Sequence, residues 1–200
     1  MSTYNCYWLD HTSTVRHSLL VVAMLTDCPA HPGRPCRAKK DIGTYATTVD
    51  ADGFPDWVES AQPESHSLEW PKECDRCHSK FTGEAMQSTM QELVYRTADG
   101  KDMTLSEAPV GAMWNERAGK KTVTEDGLCI VVKTPGGNWC IDGPSWENGV
   151  MKAEHAWTRT GRPPNITANP SIHILTSGLD GSDRRTVYHG WLRDGVLIDA

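Results

Sequence analysis

Two cysteines separated by two residues, Cys74 and Cys77, form the most chemically informative pattern in the sequence. Thiolates at this spacing can bind one tetrahedral metal ion, while backbone N–H groups of the short loop donate hydrogen bonds to the sulfur atoms. A closed structural site needs four protein ligands, so another segment must supply the remainder. The pattern therefore predicts half of a structural zinc site.

A proline-rich segment upstream offers three further ligand candidates: Cys28, His31 and Cys36. We expect Cys36 to bind the ion together with Cys74 and Cys77. The fourth ligand is expected from His31 or Cys28, and the sequence leaves that choice open. Two segments distant along the chain and joined by one ion are typical of a zinc ribbon.

Two alternatives to a metal site also remain open. A redox pair would favour a strand–helix context around Cys74, and none is visible. Unrelated buried thiols are the second alternative. The chain has seven cysteines, and in a reducing compartment close spacing indicates metal rather than disulfides. Cys6, Cys129 and Cys140 are expected to be buried free thiols, with Cys140 facing Lys133 across a hairpin that turns at Gly136-Gly137.

The histidines give no sign of a catalytic site. None belongs to the H-E-x-x-H pattern of metalloproteases or to a nucleophile-elbow sequence. His78 directly follows Cys77 and is expected to be exposed rather than bound to metal. A metal with four protein ligands has no open position for a substrate. The sequence therefore predicts that the protein is not an enzyme.

Composition restricts the class of protein further. The chain has 200 residues, a net charge of −6 and 38% hydrophobic residues. Coating of nucleic acid is not expected, because it depends on clustered Lys and Arg and the basic run Arg34–Lys40 is short. The apolar run Leu19–Leu25 is far shorter than the roughly 20 residues that a membrane helix needs. No secretory signal is visible, so we expect an intracellular, soluble protein with no membrane partner.

Short apolar runs bounded by turn residues predict strands over most of the chain. Hairpins are expected at Asp99-Gly100, at Asp194-Gly195 and around Pro135–Gly137, because glycine tolerates the positive φ of tight turns. A short helix is expected within residues 106–118, since Ser106-Glu107 resembles a helix cap.

Proline-rich stretches at 27–44 and 158–170 are expected to be a loop and a connector. Together these patterns predict a mainly antiparallel β or α+β fold, rich in hairpins, with long loops and a zinc-ribbon-like knuckle. Residues 1–100 are expected to form a zinc-stapled β-rich part and residues 101–200 a β-meander, either as two parts or as one continuous domain. Some of the eight tryptophans should anchor the core.

A set of short segments follows a definite order along most of the chain: Trp70-Pro71, Glu73–Cys77, Ala108–Trp114, Asp126–Leu128, Pro135–Gly137, Trp139–Asp142, Arg159–Pro164, Pro170–Ile172 and Tyr188–Leu192. The set resembles a group of uncharacterised tailed-bacteriophage proteins. In that group a His-Pro and Pro-Cys element, here His31-Pro32 and Pro35-Cys36, accompanies the C-x-x-C pair. The resemblance implies bacteriophage origin and a two-loop metal site, but no reaction.

The expected function is therefore that of a non-enzymatic, zinc-binding bacteriophage protein acting by protein–protein contact. Phage structural proteins are the expected partners, with self-association as a further option. The protein would be made in the host cytoplasm and could enter the virion as a minor or decorating component.

Two alternatives accompany this expectation. An early phage regulator could bind a host protein or nucleic acid through a basic face around the metal: Arg34, Arg37, Lys39, Lys40, Lys72, Arg76 and Lys80. A zinc-dependent hydrolase with an open coordination position is the third candidate.

Overall fold

A computed structural model of the chain describes residues 1–47, 69–81, 85–116, 124, 126–143, 145–147, 150–153, 157–176 and 185–200. Over these ranges the chain forms strands and turns without a helix. The strands are β1 (Thr3–Asn5), β2 (Tyr7–Cys28), β3 (His31–Ala46), β4 (Met86–Thr97), β5 (Asp102–Thr104), β6 (Ala112–Asn115), β7 (Ile130–Thr134), β8 (Gly137–Cys140), β9 (Ser145–Glu147), β10 (Val150–Ala153), β11 (Thr158–Arg162), β12 (Asn165–Thr176), β13 (Arg185–Arg193) and β14 (Val196–Asp199). The expected β-rich fold is confirmed, and none of the described segments is a helix able to cross a membrane.

The chain divides into two compact units. Unit 1 contains Met1–Asp10 and Arg96–Ala200, and unit 2 contains His11–Tyr95. The first ten residues therefore belong to the same unit as the C-terminal half of the chain.

Unit 1 is built from two groups of strands that share one core. Five strands form an antiparallel sheet in the order β1-β14-β13-β12-β11. In the other group β6, β7 and β8 pair antiparallel, and the start of β2 runs parallel to β6. Trp139 and Ile141 from this group pack in one apolar cluster with Ile166 and Leu192 of the five-stranded sheet. Tryptophan thus anchors the core, as the sequence predicts.

Two of the predicted hairpins have the expected turn residues. Asp194 and Gly195 adopt φ values of 45° and 72° between β13 and β14, and Gly100 adopts 85° between β4 and β5. A tight turn requires such positive φ values, which Asp and Gly tolerate better than other residues. The predictions at Asp99-Gly100 and Asp194-Gly195 are therefore confirmed.

The β7–β8 hairpin is present, but its predicted register is wrong. Thr134 pairs with Gly137, so Pro135 and Gly136 form the turn rather than Gly136 and Gly137. Moving a turn by one residue changes each cross-strand partner by two residues. Cys140 consequently lies opposite Val131 and not opposite Lys133.

The helix predicted within 106–118 is wrong over the described residues. The Thr104 N–H donates to the Glu107 carboxylate at 2.9 Å, and the Ala108 N–H donates to the Thr104 carbonyl at 3.1 Å, so only one turn forms. The following run, Ala112–Asn115, is the fully buried strand β6. A strand covered on both faces has no alternating pattern, and a short apolar run cannot distinguish it from a helix.

The loop predicted at 27–44 is also wrong, because most of it is β3. This strand pairs with β2 from Thr14↔Ala46 to Cys28↔His31, with register shifts on both sides of Asp27. Pro35 lies opposite Asp27 within that irregular stretch. Proline is tolerated at bulges and on outer strands, where its missing N–H breaks no ladder bond.

The connector predicted at 158–170 is replaced by β11 and the beginning of β12. Arg162 pairs with Asn165, so Pro163 and Pro164 occupy the turn between these strands. Pro170 lies where the register of β12 against β13 shifts, between Ala168 and Ile172. Pro163 and Pro164 therefore mark the turn of the β11–β12 hairpin, and Pro170 marks an irregularity in the pairing of β12 with β13, rather than a long loop.

Unit 2 is organised around the long β2–β3 hairpin. β2 also pairs with β4, and the Thr12 hydroxyl donates to the Val94 carbonyl at 2.6 Å. Leu19 and Val21 of β2 and Ala38 of β3 are buried. The hairpin thus supplies a paired, partly buried strand surface, and the Asp75 N–H of the segment 69–81 donates to the Arg37 carbonyl of β3.

Candidate metal centre

The C-x-x-C segment lies in a tight reversal of the chain, residues 73–80, which we call the knuckle. Glu73 and Lys80 make an antiparallel bridge. Inside it the Cys74 N–H donates to the Ser79 carbonyl at 2.9 Å, and the His78 N–H donates to the Cys74 carbonyl at 3.0 Å. His78 has a φ of 57° and is exposed, as expected. This tight reversal places Cys74 and Cys77 at the same end of the loop.

The β2–β3 hairpin supplies two more cysteines. Cys28 is the last residue of β2, and Cys36 lies on β3 opposite Ala23. The register shifts around Asp27 change the local spacing of the two strands. Cys28 and Cys36 consequently lie in one buried cluster with Cys74.

The four cysteine sulfurs fit a tetrahedral metal ion. All four Sγ atoms lie within 4.8 Å of one another. The Cys28–Cys74 and Cys36–Cys77 sulfur distances are 3.9 and 3.6 Å. Four sulfurs placed about 2.3 Å from a central zinc ion would be separated by about 3.8 Å. The arrangement is therefore compatible with one metal ion bound by four thiolates.

The structure also distinguishes the two candidates for the fourth ligand position by their distance from the other sulfurs. Cys28 belongs to the four-sulfur group, whereas His31 is exposed and does not. Cys28 pairs with His31 across the hairpin turn, and of the two only the Cys28 side chain belongs to the buried sulfur group. The other three expected ligands, Cys36, Cys74 and Cys77, are all members of the group.

Three of the four cysteines are shielded from water, and Cys77 is half-buried. Cys28, Cys36 and Cys74 are no more than 2% exposed, and Ala23 and Phe81 pack around the cluster. A metal–thiolate centre is strengthened by such surroundings, because a dry environment reduces competition from water. Burial here follows from the hairpin on one side and the knuckle on the other.

The two knuckle thiols are easier to ionise than an ordinary cysteine. Burial acts to raise the pKa of Cys74, but hydrogen bonds to its sulfur from the N–H groups of Cys77 and Arg76 outweigh that effect and lower the pKa to about 6. The side chain of Ser79, followed by its backbone N–H, lowers the pKa of Cys77. The knuckle is thus prepared for metal binding, since the thiolate is the ligand form.

The two hairpin thiols behave in the opposite way. Burial is the main cause that raises the pKa of Cys36 to about 12, and burial likewise raises the pKa of Cys28. A bound cation would have to displace protons from both of these thiols. Metal binding at this centre should therefore release protons and depend on pH.

Asp75, the second residue of the C-x-x-C loop, attaches the knuckle to β3. The Asp75 N–H donates to the Arg37 carbonyl at 3.0 Å, and the Asp75 carboxylate accepts from the Lys39 N–H at 2.7 Å. Both hydrogen bonds involve backbone groups of β3, the Arg37 carbonyl and the Lys39 N–H, on the edge of the strand that faces the knuckle. Sequence reasoning did not identify Asp75, whose only signal is its position inside the C-x-x-C loop.

A second group of interacting polar side chains lies in unit 1 and was not predicted from the sequence either. The Arg159 guanidinium donates to the buried Asp142 carboxylate at 2.7 Å and to both oxygens of Asp126 at 2.7 and 2.8 Å. Asp142 also accepts from the Ile130 N–H at 2.8 Å. This arrangement connects β11 with the β7–β8 hairpin and is structural. No spacing rule links residues so distant in sequence.

Comparisons with family models, with curated proteins and with solved structures find no match for the chain. The geometry of the described residues is therefore the basis for a functional assignment.

Proposed function

We propose that the four cysteines bind one zinc ion that holds the hairpin and the knuckle together, in a protein without enzymatic activity. The observation that carries this proposal is the donor set, four sulfurs within 4.8 Å of one another. Tetrahedral thiolate donors favour zinc over hard cations such as magnesium. Four protein ligands leave no coordination position for water, which supports a structural role over the zinc-hydrolase alternative.

The proposed action is protein–protein contact in a tailed bacteriophage, as a minor or decorating component of the virion. Support for a contact surface comes from four neighbouring side chains on the five-stranded sheet of unit 1, of which Trp191 is half-buried and the other three are exposed. We call this surface the aromatic strip: His173, His189, Trp191 and Arg193. His173 lies opposite His189 with ring centroids 5.2 Å apart. The Arg193 guanidinium carbon lies 5.6 Å from the Trp191 ring centroid. Tryptophan and arginine are enriched among residues that dominate binding energy.

Apolar side chains accompany the aromatic strip. Val187 and Leu175, on β13 and β12, are 42% and 43% exposed. Exposed apolar groups beside aromatic and cationic groups are a frequent composition of interface centres. Phage structural proteins are the proposed partners of this face.

Metal analysis of the purified full chain tests the metal part of the proposal. We expect one zinc ion per chain in the native protein and in Cys6→Ala, and none in Cys74→Ala. A chain that is folded and monodisperse after preparation with excess zinc, yet binds none, would contradict the proposal. Cys6 is the matched control because it lies in unit 1, apart from the four-cysteine group.

Particle proteomics tests the virion part. Mass spectrometry of gradient-purified particles should detect the chain at a constant ratio to the major capsid protein. Particles produced without the chain should bind the purified chain when the two are mixed. In the same assay the double variant Trp191→Ala/Arg193→Ala should bind to the particles less than the exposed control Lys101→Ala. Absence of the chain from purified particles would contradict the virion part of the proposal and would leave its metal part unaffected.

Nucleic-acid binding by the metal-bearing region is a second candidate, favoured by the local charge. Residues 28–40 and 69–81 contain seven Lys and Arg residues against three Asp and Glu residues, although the whole chain carries a net charge of −6. A divalent ion with four thiolates carries a net charge of about −2, which is smaller than this local excess. Trp70, Lys40 and Lys72 also line an open cavity of about 370 Å³ beside the knuckle.

Fluorescence anisotropy with a labelled single-stranded oligonucleotide tests the second candidate. Binding should weaken steeply with salt, because phosphate contacts release counterions. The variant Lys72→Glu/Lys80→Glu, with its metal content verified, should bind about tenfold or more weakly, whereas Lys101→Glu in unit 1 should bind normally. A salt-insensitive signal, or no binding at low salt, would remove this candidate.

A further inference from the structure

Two cysteines outside the metal centre lie in contact with each other in unit 1. The Sγ atoms of Cys129 and Cys140 are 3.6 Å apart, and both residues are free thiols. Cys140 pairs with Val131, and the Ile141 N–H donates to the Ile130 carbonyl at 2.8 Å. The two thiols are therefore diagonal neighbours on one face of the β7–β8 hairpin.

The surrounding strands hold the two sulfurs in place. The Cys129 N–H donates to the Asn115 side-chain oxygen at 2.9 Å, and the next N–H, of Ile130, donates to Asp142 at 2.8 Å. Trp139 and Ile141 on either side of Cys140 belong to the core of unit 1. Two thiols fixed at van der Waals contact need to approach by only about 1.5 Å to reach the bond length of a disulfide.

We propose that Cys129 and Cys140 form a reversible oxidation site, which closes to an intrachain disulfide by exchange with a low-molecular-weight disulfide such as oxidised glutathione. This site is independent of the metal centre, whose four cysteines lie in unit 2. It also differs from Cys6, for which no sulfur contact is found among the described residues.

The exchange proceeds in two balanced steps. Cys140 is the more exposed thiol, so its thiolate attacks the small disulfide, forms a mixed disulfide and releases one small-molecule thiolate. The Cys129 thiolate then attacks the Cys140 sulfur and expels the second small-molecule thiolate. The two cysteines lose two electrons and two protons in total, and the small disulfide is reduced to two thiols.

The same surroundings make the site slow to react. The hydrogen bond with Cys129 and then burial raise the pKa of Cys140, so the unreactive thiol form predominates. Exchange depends on the thiolate. We therefore expect oxidation over hours of equilibration rather than within seconds.

A disulfide would connect Cys129, directly before β7, to Cys140, the last residue of β8, at the open end of the hairpin. Ile130 and Val132 on β7 pack in the same core as Trp139 and Ile141. A cross-link between these strands restricts the unfolded chain. Oxidised protein should therefore unfold at a higher temperature than reduced protein.

Peptide mapping tests the inference on the native, metal-loaded chain. The protein is equilibrated with oxidised glutathione, alkylated, and digested with trypsin without reduction. Cleavage at Lys121, Lys133 and Lys152 places Cys129 in residues 122–133 and Cys140 in residues 134–152, while Cys6 lies in residues 1–16. A linked species of the first two peptides is expected, with Cys6 recovered as a glutathione adduct or an alkylated thiol.

A thermal measurement gives the second readout. Oxidation should raise the melting temperature by several degrees, dithiothreitol should reverse the change, and Cys140→Ala should show neither the linked peptides nor the change. The native chain alone suffices to refute the inference. Recovery of Cys129 and Cys140 only as free thiols, or as separate adducts, after full equilibration would overturn it.

Discussion

The sulfur of Cys36 lies 3.6 Å from the sulfur of Cys77, although the two residues are separated by 41 positions in the sequence. One belongs to the second strand of a long hairpin and the other to a separate knuckle. A metal ion between them would add to the Asp75 hydrogen bonds with β3 and to the buried packing that already join these two segments.

The assignment of the fourth metal ligand can be tested directly with two variants. Cys28→Ala should lose most bound metal, because only three sulfurs would remain near the knuckle. His31→Ala should retain one metal ion per chain, since His31 is exposed and outside the four-sulfur group. Metal content after dialysis against a weak chelator measures both. Full retention by Cys28→Ala together with loss by His31→Ala would reverse the assignment.

Removal of the metal should destabilise the chain. A ligand present at roughly 1,000 times its dissociation constant stabilises the native state by about 4 kcal/mol. Treatment with a strong chelator should therefore lower the melting temperature, and added zinc should restore it. Differential scanning calorimetry of the native chain and of Cys74→Ala provides the comparison, because the variant should not respond to either treatment.

Acid should weaken the link between Asp126 and Arg159. The hydrogen bond from Arg159 is the main cause that lowers the pKa of Asp126 from 3.8 to about 2. A lowered native pKa gives stability that is complete above about pH 4 and is lost as the pH falls toward 2. The Asp126 side chain is 47% exposed, so the contribution should stay below about 1 kcal/mol.

Denaturation of Asp126→Asn at several pH values measures that contribution. The variant should be slightly less stable than the native chain at pH 7, and its stability should fall less between pH 4 and pH 2. An equal loss of stability for both proteins over this range would argue against the Asp126–Arg159 link.

The core of unit 1 should depend strongly on Trp139. Its side chain is 5% exposed and packs edge-on against Trp157, with ring centroids 5.1 Å apart. Replacing a buried tryptophan with alanine typically costs about 3–5 kcal/mol. Val187→Ala, on an exposed side chain of the same unit, should change stability by no more than about 0.5 kcal/mol. Chemical denaturation followed by circular dichroism distinguishes the two.

Two glycines with similar backbone angles should differ in their tolerance of alanine. Gly195 and Gly100 have φ values of 72° and 85°. A Cβ at Gly195 would lie 2.7 Å from the Pro164 carbonyl oxygen, whereas a Cβ at Gly100 would meet no atom within 4 Å. Each substitution costs about 1 kcal/mol for the positive φ. Gly195→Ala should lose clearly more stability than Gly100→Ala in parallel urea titrations, and equal losses would contradict the close approach.

Local chemistry in the sequence was sufficient for several features. The Asp-Gly turns, the β-rich class and the Cys74–Cys77 half of the cysteine group follow from residue type and near-neighbour spacing. These properties depend on backbone angles and thiol chemistry that act over a few residues. Longer-range features were less accessible. Prolines suggested loops at 27–44 and 158–170, yet they occupy turns and bulges between paired strands.

By itself, the sequence determined that a C-x-x-C pair would need partners from a distant segment, and it restricted the fourth to Cys28 or His31. Only the tertiary structure places Cys28, rather than His31, in the four-sulfur group. The register of β2 against β3 places the Cys28 sulfur 3.9 Å from that of Cys74, while His31 remains exposed. Register depends on bulges and on pairing with the whole sheet, which no local pattern specifies. The contact between Cys129 and Cys140 arises in the same way, from a turn located one residue away from the predicted position.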